Sequence, residues 1–419
     1  MPILQSLWSG VFDVFERDYR MDDIIIELAA TGTFAIAVFG AVFCLMQSRE
    51  FRVSASFAAF LATVAINNIP DAFRRLIEAE PSSLDAMIDV AVWPSSFFLA
   101  PLFWIYVFTL TSSSQQQPQN RLRHFVLPGL AVVLTVLVLL SPPDVQAILS
   151  ADEPKMDTGW SMAVVLGFGL LQLAVYPQIA VYLFLIWRRL MAFRQRLRDV
   201  YASTEEHELR WIYVICGFYA LFWLAQTVLL LVVIDAADTA VPPVFINVAS
   251  LAGLTVVAAT VLWGLRQRPP LVPDDDQNTP EPTKGQSPGK YEKSALSAEA
   301  SHRLGRKLRA SMEVDHLHRD PNLSLWALAR HIGASPNYVS QTLNEEIGES
   351  FFDFVNGYRI AEAKNLLTTT DQSILTITYD VGFNARSSFY NAFKRITGQT
   401  PSYFRKNMSR PAGLDDISA

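Results

Sequence analysis

The sequence predicts an all-α protein, in which a polytopic membrane helix bundle of about seven spans precedes a soluble helical domain with two helix-turn-helix units. Two observations support this fold class. The 419 residues are 51% apolar and only 18% charged, which is little charge for a soluble protein of this length. The charge is also divided. Residues 1–268 hold 17 Lys and Arg against 22 Asp and Glu, whereas residues 290–410 hold 16 against 12. An acidic apolar part and a basic part therefore predict separate domains.

The membrane domain is predicted over residues 1–268. A helix needs about 20 mostly apolar residues to cross the hydrocarbon of a bilayer. The stretches that reach or approach this length are residues 24–46, 53–69, 87–110, 125–140, 161–187, 211–234 and 244–265. The second and the fourth are short. Seven runs that are apolar on every face are too many to hide in the core of one soluble domain.

The basic residues between the spans predict the orientation of the bundle, because short cytoplasmic loops are rich in Lys and Arg. With the N-terminus outside, the inner loops hold 12 Arg residues and the outer segments hold five Lys and Arg. Arg74 and Arg75 oppose the rule, although their loop is also acidic. Seven spans then leave the C-terminus in the cytoplasm. The longest inner segment, residues 188–210, is basic and then acidic, and it is a candidate to contact the C-terminal domain.

Polar side chains near the outer ends of three spans define a candidate signal pocket. Such residues are costly inside a bilayer and are often functional. Glu27, Asn67, Asn68 and Asp89 lie at similar depth, and Trp93 follows on the third span. Two interpretations stay open: one pocket that opens to the outer leaflet, or helix ends that contact interfacial water.

Other polar side chains in the spans predict no site. Gln172, Gln178 and Gln226 are expected to form hydrogen bonds between helices. Cys44 and Cys216 lie in apolar runs, where they are expected to act as small buried hydrophobes. Two such cysteines predict neither a disulfide framework nor a metal site.

A disordered linker is predicted over residues 269–290. Its sequence is rich in Pro, Asp, Gly, Ser and Thr and almost free of large apolar residues. The soluble domain follows over residues 291–408, and residues 409–419 form a tail. Its first helix is expected to start after Ser297 as N-cap and to end near Glu313.

The first helix-turn-helix unit is predicted over residues 323–345. Leu325 and Leu328 begin an apolar stripe on one helix, Gly333 permits a tight turn, and Ser335 caps the next helix. Two short helices that cross steeply and leave the second exposed are typical of units that enter the major groove of DNA.

A second unit is predicted over residues 373–397, after a long helix at residues 350–368. It has a helix, a turn at Gly382-Phe383 and an exposed helix. Gly398 ends that helix, and Pro401 prevents it from continuing. The repetition predicts two recognition helices in one domain.

Several short motifs in the same order resemble a known family. They are Gly348, Tyr358-Arg359-Ile360-x-x-Ala363, Ile374 to Gly382-Phe383, Ser388-Phe389 to Phe393-Lys394, and Gly398-x-x-Pro401-Ser402-x-Phe404-Arg405. Residues 323–406 thus resemble the DNA-binding domain of the AraC/XylS transcriptional regulators, in which a long helix joins two helix-turn-helix units. The resemblance implies sequence-specific binding of promoter DNA. More loosely, the membrane part resembles, at PLFWIYVFTL, the seven-span region of some bacterial regulators. This likeness implies the bacterial inner (cytoplasmic) membrane.

Two places depart from the family pattern. Thr378 stands where the family usually has a small Ala, so the second unit is expected to pack slightly differently. The first recognition helix continues into Asn344-Glu345-Glu346, where many members have basic residues. Two carboxylates beside a phosphate backbone repel it, so the first unit either binds more weakly or tilts these residues away from DNA.

The exposed positions of both recognition helices are the candidate DNA contacts. Asn and Gln can pair with adenine edges, and Arg with guanine. The candidates for base contact are Asn337, Tyr338, Ser340, Gln341, Arg386, Ser387, Tyr390 and Asn391. The candidates for phosphate contact are Ser335, Lys394, Arg395, Arg405 and Lys406. Arg359 is either one more contact or a structural bond between the units. His316-x-His318 lacks a third metal ligand and is assigned to a loop surface.

Together these features predict a membrane-anchored, one-component transcriptional regulator that senses a membrane or extracytoplasmic signal. The expected partners are double-stranded DNA, the lipid bilayer and an unknown small-molecule or lipid signal. A homodimer is compatible but not required, because tandem units can grip two successive grooves as a monomer. Two alternatives stay open: a membrane enzyme or transporter with a DNA-binding appendage, and spans that only tether the domain. The sequence contains no catalytic constellation or phosphate loop, so it predicts neither an enzyme nor a cofactor.

Overall fold

The computed structural model describes residues 21–47, 51–78, 82–112, 120–141, 159–204, 209–235, 243–266 and 297–408. These residues are almost entirely helical, and the β structure among them is one isolated antiparallel bridge between Tyr201 and Ser324. The chain divides into two compact units. The first comprises Met1–Leu190 and Leu209–Pro269, and the second comprises Met191–Glu208 and Pro270–Ala419. The predicted linker and the tail lie outside the described residues.

The first unit consists of ten α-helices and a short 3-10 turn at Arg121–Phe125 within its described residues. The helices are α1 (Met21–Met46), α2 (Phe51–Asn67), α3 (Ile69–Ala72), α4 (Arg74–Glu78), α5 (Ser82–Val92), α6 (Ser95–Leu110), α7 (Val126–Leu139), α8 (Gly159–Arg198), α9 (Arg210–Asp235) and α10 (Pro243–Arg266). The predicted third span is interrupted by Trp93-Pro94, because Pro94 has no N–H to continue the helix.

Within the part of the chain that the structure describes, five apolar helices are long enough to cross a membrane. They are Ile24–Met46, Met87–Leu110, Leu122–Leu139, Gly159–Arg198 and Val244–Arg266. Two further apolar stretches, Arg52–Asn67 in α2 and Arg210–Ala225 in the first part of α9, are shorter than 18 residues. The sequence predicts seven spans, of which the second and the fourth are short. The structure agrees on the second, whereas the 3-10 turn extends the fourth to 18 residues. The count of seven is not confirmed.

Small residues allow three helices of this unit to pack closely. Ala29 and Ala37 of α1 are buried, and Gly40 faces Leu61 of α2 and Val261 of α10. Because apolar side chains gain little by leaving lipid, close backbone approach and interhelical hydrogen bonds stabilise such bundles.

Interhelical hydrogen bonds also follow the sequence prediction. Gln178 Nε2 donates to the Phe97 carbonyl at 2.9 Å. Trp93 Nε1 donates to Gln172 Oε1 at 3.0 Å. The roles predicted for these two glutamines are therefore confirmed, while the side chain of Gln226 lies outside the description.

Over residues 297–408, the second unit contains seven α-helices, in addition to the C-terminal end of α8. They are α11 (Ala298–Glu313), α12 (Leu325–Ile332), α13 (Pro336–Thr342), α14 (Phe351–Thr369), α15 (Ile374–Asp380), α16 (Arg386–Thr397) and α17 (Pro401–Met408). Serine side chains in extended conformation accept a main-chain N–H at the starts of α11 to α15. The caps predicted at Ser297 and Ser335 are confirmed, and so is the end of α11 at Glu313.

Two apolar cores lie in this unit, one for each helix pair. Leu308, Leu328 and Val339 are fully buried in the first core. Ile377 and Phe389 are fully buried in the second. Burying such side chains stabilises the fold by about 1.5–3 kcal/mol each. Each pair of short helices is therefore held by its own core.

Candidate functional site

The first helix-turn-helix unit consists of α12, a turn and α13. Gly333 has φ of +67°, a left-handed conformation that favours glycine, and its N–H bonds the Arg330 carbonyl to end α12. Ser335 Oγ accepts the Tyr338 N–H at 3.3 Å and begins α13. Val339 fixes the inner face of α13 in the core. The opposite face of α13 remains for a partner.

Four predicted base contacts lie on α13. Asn337 is exposed, and Tyr338, Ser340 and Gln341 are half-buried. Gln341 Nε2 donates to Glu345 Oε2 at 2.9 Å, so its amide must leave this carboxylate to read a base. Ser335, a predicted phosphate contact, already uses Oγ as the cap acceptor.

The two carboxylates that depart from the family pattern are bonded within the domain. Residues Leu343–Ile347 form a π-helical turn after α13. Glu345 accepts from Gln341, and Glu346 Oε1 lies 2.6 Å from Nδ1 of His302 on α11. These bonds offer each carboxylate a partner other than solvent.

The second unit consists of α15, a turn and α16. Thr378 is fully buried in α15, and its Oγ1 donates to the Ile374 carbonyl at 2.7 Å. This bond satisfies the hydroxyl that Thr adds where the family usually has Ala. The second helix-turn-helix unit therefore accommodates Thr378 through a bond within α15.

The exposed face of α16 carries a polar cluster. Arg386 Nη2 donates to Tyr390 Oη at 3.2 Å, and its guanidinium lies 4.9 Å from the centre of the Tyr390 ring. Tyr390 Oη lies 3.4 Å from Ser402 Oγ. The bonds with Ser402 and then Arg386 lower the pKa of Tyr390 from its ordinary value. Ser387 and Asn391 are exposed on the same helix.

The predicted phosphate contacts differ in what they bond. Lys394 and Lys406 are exposed. Arg395 Nη1 donates to Asp353 Oδ1 at 2.5 Å. Arg405 Nη2 donates to the Gln372 carbonyl at 2.7 Å. Its Nε donates to the Leu367 carbonyl near the end of α14. The two lysines thus point to solvent, whereas both arginines bond the protein itself.

Arg359 is fully buried and structural, which decides between the two roles that the sequence left open. Its Nε donates to the His318 carbonyl at 2.7 Å, and Nη2 donates to the Asp320 carbonyl at 2.8 Å. Its guanidinium lies 5.3 Å from the ring centre of Phe383, in the core of the second unit. Arg359 therefore links the segment before the first unit to the second unit.

His318 is buried, with 4% of its surface exposed, so its assignment to a loop surface was wrong. Its Nδ1 lies 3.0 Å from the Met312 carbonyl and its Nε2 lies 2.7 Å from Glu362 Oε2. Arg319 donates to the other oxygen of Glu362. Burial raises the pKa of Glu362, but the bonds from Arg319 and His318 outweigh burial and lower it. Neither helical spacing nor a motif marks this cluster in the sequence.

A cavity of about 310 Å³ lies among the apolar helices of the first compact unit, Met1–Leu190 and Leu209–Pro269. Its lining is mostly apolar. Asn67 and Asn68 line it together with Thr33, Ser250 and Asp71. Glu27, Asp89 and Trp93 are not among the described residues that line it. Glu27 Oε2 instead accepts from Arg75 Nε at 2.7 Å. Thus the structure brings together two of the five residues proposed for this pocket.

Comparison with known proteins identifies the C-terminal part. Residues 328–407 match the family model of a helix-turn-helix domain. A segment of 97 residues is 40% identical to an uncharacterised HTH-type transcriptional regulator of Staphylococcus aureus and covers 23% of this chain and 12% of that protein. Another of 91 residues is 37% identical to the arabinose operon regulatory protein of Escherichia coli and covers 22% of this chain and 31% of that protein. This chain thus spans only a minor part of those relatives.

Two solved structures also resemble this part of the chain. The C-terminal domain of AraT, a response regulator from Geobacillus stearothermophilus, is 26% identical with a TM-score of 0.24, and covers 29% of this chain and 96% of that one. The C-terminal domain of the response regulator yesN from Fusobacterium nucleatum is 25% identical with a TM-score of 0.22, and covers 26% and 99%. The sequence matches carry the assignment: the C-terminal domain is an AraC-type helix-turn-helix domain of the kind found in DNA-binding transcriptional regulators.

Proposed function

We propose that this protein is a membrane-anchored, one-component regulator that binds promoter DNA through its two recognition helices and responds to a signal in the membrane. One observation carries the proposal: helices long and apolar enough to cross a membrane share a chain with an AraC-type domain. A bilayer and a duplex are then held by the same polypeptide. The α13 and α16 faces are the surfaces that would enter the major groove.

Seven spans with the N-terminus outside are the arrangement we favour. Among the described residues, each of the seven predicted stretches coincides with apolar helix, and five of these helices are long enough to cross a membrane. The excess of arginine in the loops assigned to the inside supports this orientation. An odd number of spans leaves the DNA-binding domain in the cytoplasm, with the DNA.

The cavity among the apolar helices of the first compact unit is our candidate site for the signal. Its mostly apolar lining favours a lipophilic molecule, and its polar side chains, which include Asn67, Asn68 and Asp71, favour one that also forms hydrogen bonds. Such a molecule would dissolve in lipid before it binds. If the spans only tether the domain, occupancy of this cavity has no effect on transcription.

Two experiments test the anchored regulator. A protease added to intact cells should not remove a tag fused after Ala419, whereas it should remove one fused to the N-terminus. Genome-wide occupancy of the intact protein should show discrete promoter sites. Removal of the C-terminal tag from intact cells, or occupancy without discrete sites, would contradict the proposal.

A glycine pair tests the sensing role of the cavity. Gly253 lines the cavity and Gly217 does not, and a Cβ at either position meets open space. We expect Gly253→Leu to abolish changes in transcription across growth conditions, because the side chain would fill the site. Gly217→Leu on α9 is the matched control and should leave them intact. Equal regulation in both variants would favour the tether.

A further inference from the structure

The segment that follows α8 is bound to the first helix-turn-helix unit. Ala202 N–H donates to the Leu323 carbonyl at 3.2 Å, and Leu325 N–H donates to the Val200 carbonyl at 2.8 Å. These two bonds flank the antiparallel bridge between Tyr201 and Ser324. The segment thus pairs with the strand-like residues that lead into α12.

Side chains of both parties close around this bridge. Ala202 has only 1% of its surface exposed and belongs to the apolar core of the first helix-turn-helix unit. The Tyr201 ring meets the Trp326 ring edge-on, with 5.8 Å between their centres. The Arg198 guanidinium lies 5.5 Å from the centre of the Phe352 ring. The contact therefore combines main-chain pairing with burial.

The segment also supplies acceptors to the two buried polar residues of α14. Asn356 Nδ2 donates to the Ala202 carbonyl at 3.2 Å. Arg359 Nη1 donates to Ser203 Oγ at 3.1 Å and reaches the Ala202 carbonyl at 3.4 Å. A buried guanidinium without its acceptors is strongly destabilising. Arg359 also bonds the segment before α12 and faces Phe383 of the second helix-turn-helix unit. The hydrogen bonds that it donates to residues 202 and 203 therefore affect how the two helix-turn-helix units are held together.

The same segment is continuous with a helix of the membrane-domain unit. Helix α8 is unbroken from Gly159 to Arg198. Its residues up to Leu190 belong to the first compact unit of the chain, and its residues from Met191 belong to the second compact unit. A displacement of α8 along or about its axis would therefore pull on the bridge directly, without the linker of residues 269–290.

We propose that residues 200–204 are an intramolecular ligand of the DNA-binding domain. Their docking completes the bonding of Arg359 and holds the two recognition helices in the arrangement that binds DNA. Movement of α8 releases the segment and lowers DNA affinity. This inference rests on the proposed function, because it assumes that the domain binds DNA and that α8 crosses the membrane. It assigns to residues 200–204 the coupling between α8 and the DNA-binding domain.

Disulfide trapping tests the docking. The flanking bonds place Tyr201 and Ser324 at a non-hydrogen-bonded bridge position, where Cα atoms lie about 4.5 Å apart, close enough for a disulfide. The variant Tyr201→Cys/Ser324→Cys is made in full-length protein in which Cys44 and Cys216 are replaced by Ala, and it is oxidised in lipid nanodiscs. We expect loss of both free thiols.

The pair Tyr201→Cys/Gln372→Cys is the matched control, since Gln372 is exposed before α15 in the second unit. It should keep its thiols within the same time. Equal oxidation of both pairs, or of neither, would overturn the docking.

The effect on DNA is measured with the same full-length protein. The probe is the duplex most enriched when wild-type protein captures fragmented genomic DNA of the source organism. Ala202→Pro removes the N–H that bonds Leu323, and we expect it to weaken binding by about tenfold. Ala202→Gly keeps that N–H and should bind within about twofold of wild type. The oxidised cysteine pair should bind as tightly as wild type.

The outcomes separate this inference from the proposed function. If wild type captures no specific DNA, the proposed function fails. If wild type binds but Ala202→Pro binds equally or more tightly, the segment does not hold the DNA-binding state, and the inference fails. Should Ala202→Pro not fold, the cysteine pair decides the matter in folded protein. Oxidation that weakens binding would overturn the inference.

Discussion

Arg395 of α16 donates from Nη1 to Oδ1 of Asp353 at the start of α14, across 2.5 Å and 42 positions of sequence. The pair joins the second recognition helix to the long helix between the units. Burial raises the pKa of Asp353, but the bonds from Arg395 and Ser350 outweigh it and lower the pKa below its ordinary value. A side chain that the sequence assigned to phosphate therefore already has an anionic partner inside the protein.

Removal of that partner should strengthen the contact with phosphate. In Asp353→Asn, Arg395 no longer leaves a carboxylate to meet DNA, so we expect tighter binding and a salt dependence steeper by about one released counterion. The measurement is fluorescence anisotropy of the full-length protein with a duplex at several salt concentrations. Asp371→Asn removes the same charge at an exposed position and is the matched control. An unchanged slope in Asp353→Asn would show that Arg395 does not reach the backbone.

Gly382 should be the least replaceable glycine of the domain. Its φ is +95°, and a Cβ there would lie 2.5 Å from the His318 carbonyl oxygen and 2.8 Å from the Arg319 carbonyl carbon. Gly382→Ala should therefore destabilise the domain by more than the roughly 1–3 kcal/mol of backbone strain alone. It should also loosen the junction between the units.

Gly398 provides the control for this substitution. It also has positive φ, +75°, but a Cβ there meets open space. Gly398→Ala should cost only about 1 kcal/mol. Hydrogen exchange of α14 amides reports both effects. Similar protection in the two variants would mean that the contact with His318 can relax.

Arg386 and Lys406 should affect DNA binding in different ways. Arg386 lies on the exposed face of α16, so Arg386→Ala should cost about 1–3 kcal/mol and relax specificity at one base pair. Lys406→Ala should weaken binding to all sequences to a similar degree, because a phosphate contact carries no base information. Affinities for a library of single-base variants of the bound duplex measure the difference. Uniform loss in Arg386→Ala would assign this residue to the phosphates.

Acid should loosen the junction around Glu362. Its folded pKa lies below the ordinary value of 4.5, so its carboxylate stabilises the fold fully above about pH 4.5, and this contribution is lost as pH falls through the folded pKa. Glu362→Gln should lower local stability at neutral pH by about 1–3 kcal/mol. The difference in local stability between wild type and Glu362→Gln should become smaller below pH 4.5.

Hydrogen exchange of α14 in full-length protein at several pH values measures this gap. Glu349→Gln, at an exposed position, is the control and should have little effect at any pH. A gap that stays constant as the pH falls would show that the ionised carboxylate of Glu362 does not stabilise the junction.

Much of the architecture follows from local patterns in the sequence. The caps at Ser297 and Ser335, the turn at Gly333 and the helix ends at Glu313 and Gly398 are confirmed. Each depends on residues within one or two turns of helix, and local backbone chemistry is legible in sequence. The motifs of the AraC-type domain also stand in a fixed order, so the sequence alone indicates the domain type.

The side-chain partners of the domain were decided only by tertiary structure. The sequence leaves two roles open for Arg359 and assigns Arg405 to phosphate, yet Arg359 is buried and Arg405 bonds main-chain carbonyls. His318 looked like a loop residue and is buried against Glu362. Arg405 and Gln372 are 33 positions apart, His318 and Glu362 are 44 apart, and Arg359 and Ser203 are 156 apart, so no helical period relates these partners. Sequence by itself determined the helices, the caps and the domain type. Only the folded chain decided which charges are bonded inside and which remain for DNA, because that depends on distances between elements that local periodicity does not encode.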